Sequence, residues 1–159
     1  MNEKTSAWSL ATGSELLLKL FGEYPSFHDA MVSSICIERA KRLKSPTPGT
    51  LFDPRKLELV DVVVELKHRQ FRSREERVGQ IDYGVTVALL DVVACDIDVN
   101  AMLVDSFVSE ITLSKGDNQL FIFDLEPNAG LSIQVECAGV DVRAAWPYPA
   151  PSPFDALLP

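Results

Sequence analysis

Two histidines and a few carboxylates hold most of the chemistry that this chain could perform. His28 stands next to Asp29 in the stretch Gly22-Glu23-Tyr24-Pro25-Ser26-Phe27-His28-Asp29-Ala30, and a carboxylate beside an imidazole is the pairing that orients a general base. Adjacency argues against a working pair, because neighbours on an extended chain point to opposite faces. The expected roles of Pro25, Ser26, Phe27, His28 and Asp29 are therefore structural. Phe27 is expected in the core, with Asp29 accepting backbone N–H bonds in a turn and His28 bonding a carbonyl. Neither His28 nor His68 is accompanied by a Gly-x-Ser-x-Gly elbow or a Cys-His signature, so no nucleophile is assigned. Asp96-Ile97-Asp98-Val99-Asn100 imitates the start of a calcium loop. Its sixth position is Ala101 where Gly is needed, and its twelfth is Phe107 where a bidentate Glu is needed. The motifs thus lead to no catalytic residue, no metal and no cofactor.

Three cysteines, Cys36, Cys95 and Cys137, lie far apart and form no Cys-x-x-Cys. They read as reduced, partly buried thiols of a cytoplasmic protein. Charge is distributed unevenly. Residues 1–80 carry 13 Lys/Arg against 11 Asp/Glu, whereas residues 81–159 carry two cations, Lys115 and Arg143, against 12 anions. A surface fed by the second half repels phosphate backbones and attracts basic partners, which excludes nucleic acid. Neither a signal-type apolar core near the N-terminus nor an apolar run of membrane-spanning length is present, so no membrane association is expected.

These residues must be positioned by a mostly β framework. At 159 residues the chain fits one domain, 1–159. Residues 1–11 read as a loose arm tied down only at Trp8. Thr12-Gly13-Ser14-Glu15 fits a capping box for a short helix, with Gly22 as its left-handed stop. Alternating apolar residues predict strands over 31–39, 57–68 and from 81 onward, then a meander over 107–113, 120–125 and 131–142. Turns are expected at 115–118 and 127–130, and a one-residue bulge at Ala138-Gly139, where the apolar parity switches. Residues 41–54 and 69–77 read as charged loops and residues 146–159 as a Pro-rich polyproline-II tail. The fold class is α+β: one largely antiparallel sheet of about six strands with the short N-terminal helix packed on it.

The segment Tyr24-Pro25-Ser26-Phe27-His28-Asp29-Ala30-Met31-Val32, entering an alternating strand that ends in Glu38-Arg39, resembles the opening of the immunity protein 50 family. That family opens with Trp-Pro-Ser-Phe-His-Asp-Ala-Glu-Val and continues into a mixed sheet. The matching positions are Pro25, Ser26, Phe27, His28, Asp29, Ala30 and Val32; Tyr24 stands where Trp is usual and Met31 where Glu is usual. The match covers residues 18–39, beyond which strand succession and size agree. The family belongs to bacterial polymorphic toxin systems. The resemblance implies a non-enzymatic protein that binds and neutralises a cognate toxin domain, and an acidic inhibitor suits a basic one.

A second reading stays open, in which a pocket near His28 and Asp29 binds a small molecule or works as an enzyme; an uncharacterised structural or interaction module is a third. For the toxin reading, Asp91, Asp96, Asp98 and Asp105 lie within a span lacking Lys and Arg. They are expected at one end of the sheet, with Met102 or Leu103 as an apolar anchor. Monomer and homodimer are both compatible with the sequence.

Overall fold

The computed structural model describes residues 7–41, 58–68, 82–98 and 107–147. Of the expected loops at 41–54 and 69–77, Lys41 instead ends a strand; the rest of both loops, residues 99–106 and the tail beyond Pro147 lie outside the described residues. A 3-10 turn (Ala7–Leu10) and a helix α1 (Glu15–Phe21) precede six strands: β1 (Met31–Lys41), β2 (Glu58–His68), β3 (Tyr83–Ile97), β4 (Phe107–Lys115), β5 (Phe121–Ala129) and β6 (Ile133–Pro147). They form one antiparallel sheet in the order β1-β2-β3-β6-β5-β4. This is the α+β architecture that the alternation predicts.

The helix starts later than its apparent capping box. Ser14 occupies the N-cap without a side-chain cap bond. Thr12 instead joins the sheet, its N–H donating to Val140 O at 2.9 Å and its carbonyl accepting from Val142 N at 2.8 Å. The pairing is close: a Cβ on Gly13, whose φ is +71°, would stand 2.4 Å from Val142 O. Sheet pairing that supplies two long-range bonds wins over a local cap. Gly22 ends the helix as expected, with φ 78° and its N–H on Leu18 O at 2.9 Å. The segment read as a loose arm is core from Ala7 onward, since Ala7, Trp8 and Ala11 are all buried. Nor does the tail begin at Trp146. Trp146 pairs with Gly84 and Pro147 with Tyr83 inside the sheet, and any Cβ at Gly84 would meet the Trp146 ring 2.3 Å away.

The parity switch in β6 is real, but its cause differs from a bulge at Ala138-Gly139. Cys137 is buried on one side of the switch, Val140 and Val142 on the other. Register nevertheless runs unbroken from Leu90↔Gly139 to Val92↔Cys137, because β3 changes parity at the same level, from Val87 and Leu89 to Val92. Asp91 makes that change with a left-handed φ of 54°. Its N–H goes to Oδ1 of the buried Asp61 at 2.9 Å. True register shifts lie at Thr86/Val87 and Val92/Ala94. Pairing of β2 with β3 stops at Val62↔Leu89, so the sheet divides there. Asp61 sits at the fork.

The two ends of the sheet are joined by the Pro-Ser-Phe-His-Asp-Ala stretch. Six strands spaced about 4.8 Å apart would hold β1 and β4 about 24 Å apart if the sheet were flat. Residues 26–30 lead directly into β1, yet their backbone bonds to β4. Asp29 N donates to Val108 O (2.9 Å), Val108 N to Ala30 O (2.9 Å) and Ile111 N to Ser26 O (2.8 Å). The sheet is therefore strongly coiled around its core face. Phe27 fills that core without exposure and meets the Trp8 ring at 5.7 Å; Trp8 in turn meets Phe123 at 6.5 Å. Phe27 is held at φ 58°, a left-handed conformation costing about 1–2 kcal/mol for a residue with a Cβ. Burial of a large apolar side chain, about 1.5–3 kcal/mol, outweighs it. Phe27→Ala is accordingly expected to cost roughly 3–5 kcal/mol in urea unfolding; a loss below about 1 kcal/mol would contradict this packing.

Candidate functional site

Two places combine polar side chains in a way that goes beyond folding. The first is the motif itself. Ala30 N bonds Phe27 O at 2.9 Å, closing a turn whose third residue, Asp29, has φ 62°. Left-handed backbone at that position is ordinarily a Gly or Asn feature. It also removes the premise that neighbours diverge: His28 Nδ1 lies 3.1 Å from Asp29 Oδ2. The two side chains are 61% and 35% exposed, so they face solvent, and the expected side-chain bonds to the backbone are replaced by this pair. The His28 amide reaches the Ser26 hydroxyl at 3.4 Å, a long contact. Pro25 and Phe27 are buried in the scaffold. Among the described residues no group of three or more His, Cys, Asp or Glu is arranged to hold a metal ion.

The second place is the solvent face of β4, β5 and the adjoining halves of β6 and β3. Alternation sends Ile111, Leu113, Phe123, Leu125, Ile133 and Val135 to the core, which turns the intervening residues outward. Register then aligns them in rows. Glu110 lies opposite Glu126, Thr112 opposite Asp124, Asp124 opposite Gln134, and Gln134 opposite Asp96. Glu136 stands between Ile122 and Ala94. Carboxylates on four adjacent strands thus share one face. Residues two apart on a strand are separated by about 7 Å, inside the Debye length of about 8 Å at physiological salt. Lys115 at the end of β4 lies over the Phe121 ring at 5.2 Å on the core-side parity, and Arg143, in the other half of β6, faces Glu38 at 3.6 Å. Cys95, exposed on the same stretch of β3, has its thiol pushed up by burial and by Asp96.

Of the residues that sequence spacing proposes, Asp96 belongs to this face. Asp98 lies just past β3, its N–H on Ser132 O at 3.2 Å. Asp91 sits apart at the fork with Asp61. Asp91 and Asp96 are inside β3 rather than in a connection beyond it, and Asp105, Met102 and Leu103 lie outside the described residues. Spacing alone misses Glu110, Asp124, Glu126 and Glu136. The available signal was their alternation with buried residues, Glu110 beside Ile111 and Asp124 and Glu126 flanking Leu125; which strands then adjoin is a matter of topology. Cys36 and Cys95 are exposed rather than partly buried, while Cys137 is buried with its thiol raised to about 11, chiefly by desolvation.

No helix among the described residues is long and apolar enough to cross a membrane. Comparison with protein-family models, with curated proteins and with solved structures finds no match. The acidic face carries a testable energetic consequence. Like charges directly opposite across strands destabilise, on a scale of roughly 0.2–1 kcal/mol per pair. Glu126→Gln should therefore raise the urea midpoint slightly at low salt, with the gain shrinking in high salt. A variant that is less stable than the parent at low salt would show that Glu126 is held by favourable contacts instead.

Proposed function

We propose that this protein is a non-enzymatic immunity-type protein that binds and neutralises a cognate toxin domain in the bacterial cytoplasm, using the acidic sheet face to receive a basic surface. The resemblance of residues 18–39 to the immunity protein 50 opening supports the class of function. One observation carries the choice of surface: Glu110 and Glu126 are paired across strands, with Asp124, Glu136 and Asp96 on the same face, while Arg143, farther along β6, faces Glu38 at 3.6 Å. Such an arrangement costs folding stability. It lowers its own cost when a cationic partner neutralises it, and the field it projects accelerates encounter. The motif residues then serve the scaffold, with Pro25 and Phe27 buried and the backbone of residues 26–30 bonded to β4.

A second reading rests on the His28/Asp29 contact at 3.1 Å. A carboxylate on Nδ1 fixes the imidazole tautomer and aims the opposite nitrogen outward, as in the base half of a hydrolytic triad. On this reading the exposed His28 is the working group of an enzymatic or small-molecule site.

The two readings separate in one experiment. The proposal requires a toxin domain encoded beside this protein; that domain is captured on a sensor, and association is followed at low and high salt. On the first reading the variant Asp96→Asn/Glu110→Gln/Glu126→Gln associates about tenfold or more slowly at low salt and responds weakly to salt, with dissociation changing less. His28→Ala binds like the parent. Unchanged association of the triple variant removes the acidic face as the docking surface. Loss of neutralisation in a folded His28→Ala protein moves the site to the motif.

A further inference from the structure

His68 is a buried imidazole at a junction of three elements. It ends β2, is 8% exposed, and its Nδ1 has no hydrogen-bond partner among the described residues. Its ring is 5.1 Å from that of Phe21 at the end of α1 and 5.3 Å from that of Phe27 in the loop before β1, both nearly perpendicular. A neutral imidazole is compatible with such surroundings. An imidazolium brings a charge and a second N–H donor, and both lose water on burial. We infer that His68 is an acid-sensitive latch, whose protonation expels the ring from between Phe21 and Phe27 and releases α1 and residues 26–30 while the sheet persists. This is independent of the toxin reading.

The groups around the ring support one direction. Burial pushes His68 below its ordinary value, and Asp82, next to β3, opposes this without overcoming it. Tyr83, opposite His68 in register, turns its ring to Phe21 at 5.6 Å. Lys67 precedes His68 and has the opposite strand parity. On α1, Glu15 and Lys19 are exposed, as is Glu23 after it. In the loop, His28 and Asp29 pair with each other towards solvent. Aromatic faces attract cations, but desolvation is the largest influence on this ring. The unfolded chain takes up the proton first, near the ordinary value of 6.5. The stabilising contribution of neutral His68 is thus complete above that pH and declines as pH falls towards the lower folded value.

Amide hydrogen exchange, corrected for the intrinsic pH dependence, tests the latch. Between pH 7.5 and 5.5 the amides of Gly22, Asp29 and Ala30 should lose protection relative to those of Phe123 and Val135, as a folded-state proton affinity lowered by burial requires. His68→Phe should abolish the difference and His28→Gln should keep it. A flat parent profile, or the same loss in His68→Phe, overturns the inference. Should His68→Phe fail to fold, the ring resonances of His68 decide the matter in His28→Gln, where it is the remaining histidine. A midpoint well below 6.5 supports the latch, and one at or above 6.5 overturns it.

Discussion

Three backbone hydrogen bonds from residues 26–30 to Val108 and Ile111 set the shape of this protein. They connect the entry to the first strand of the sheet with the strand at its other end, and a flat sheet could not make them. Each is worth about 1 kcal/mol net. Their larger effect is geometric: with the ends held, the core face encloses Trp8, Leu17, Phe27 and Phe123, none more than 2% exposed. The bonds also occupy part of the outer edge of β4, which would otherwise offer unpaired N–H and C=O groups to another chain. The left-handed residues Phe27 and Asp29 are what allow a short segment to turn its backbone towards β4 and its aromatic ring inward.

The same coiling explains why a second irregularity is needed. β3 and β6 are the longest strands, at 15 residues each, and they serve both halves of the sheet. At Asp91 both change which parity faces inward, and their pairing is unbroken across the change, from Leu90↔Gly139 to Val92↔Cys137, so each half presents apolar residues to the core. Asp61 stabilises the change by accepting the Asp91 N–H. A consequence is that the half containing β4 and β5 turns a separate face to solvent, and this face gathers the carboxylates.

β4 and β5 were legible from alternation because one face is buried and the other is not; β1 shows the alternation of Ile35 and Ile37 although Ile37 is 66% exposed, and β2 buries Asp61, Val62, Val63 and Val64 in succession. The helix stop at Gly22 was legible because a left-handed residue after Phe21 is local chemistry. Three things were not. Thr12 looks like a cap because capping is judged locally, whereas its bonds to Val140 and Val142 come from 128 or more residues along the chain. Ala138-Gly139 looks like a bulge because the compensating change at Asp91 is on another strand. His28 and Asp29 look divergent because the rule for neighbours assumes extended backbone, which Asp29 at φ 62° does not have. The acidic face was half legible: charge asymmetry announces it, but only register brings Glu110 to Glu126 and Asp124 towards Asp96.

The tie between the motif and β4 holds the two ends of the sheet together, and scalar couplings across hydrogen bonds observe it directly. In an isotopically labelled sample at pH 7.5, correlations are expected from Asp29 N to the Val108 carbonyl carbon, from Val108 N to that of Ala30, and from Ile111 N to that of Ser26. Their intensity should match the pairs linking β5 and β6, such as Phe123 with Val135. Absence of all three in a spectrum where the β5–β6 correlations are present would mean that the motif does not join the ends of the sheet.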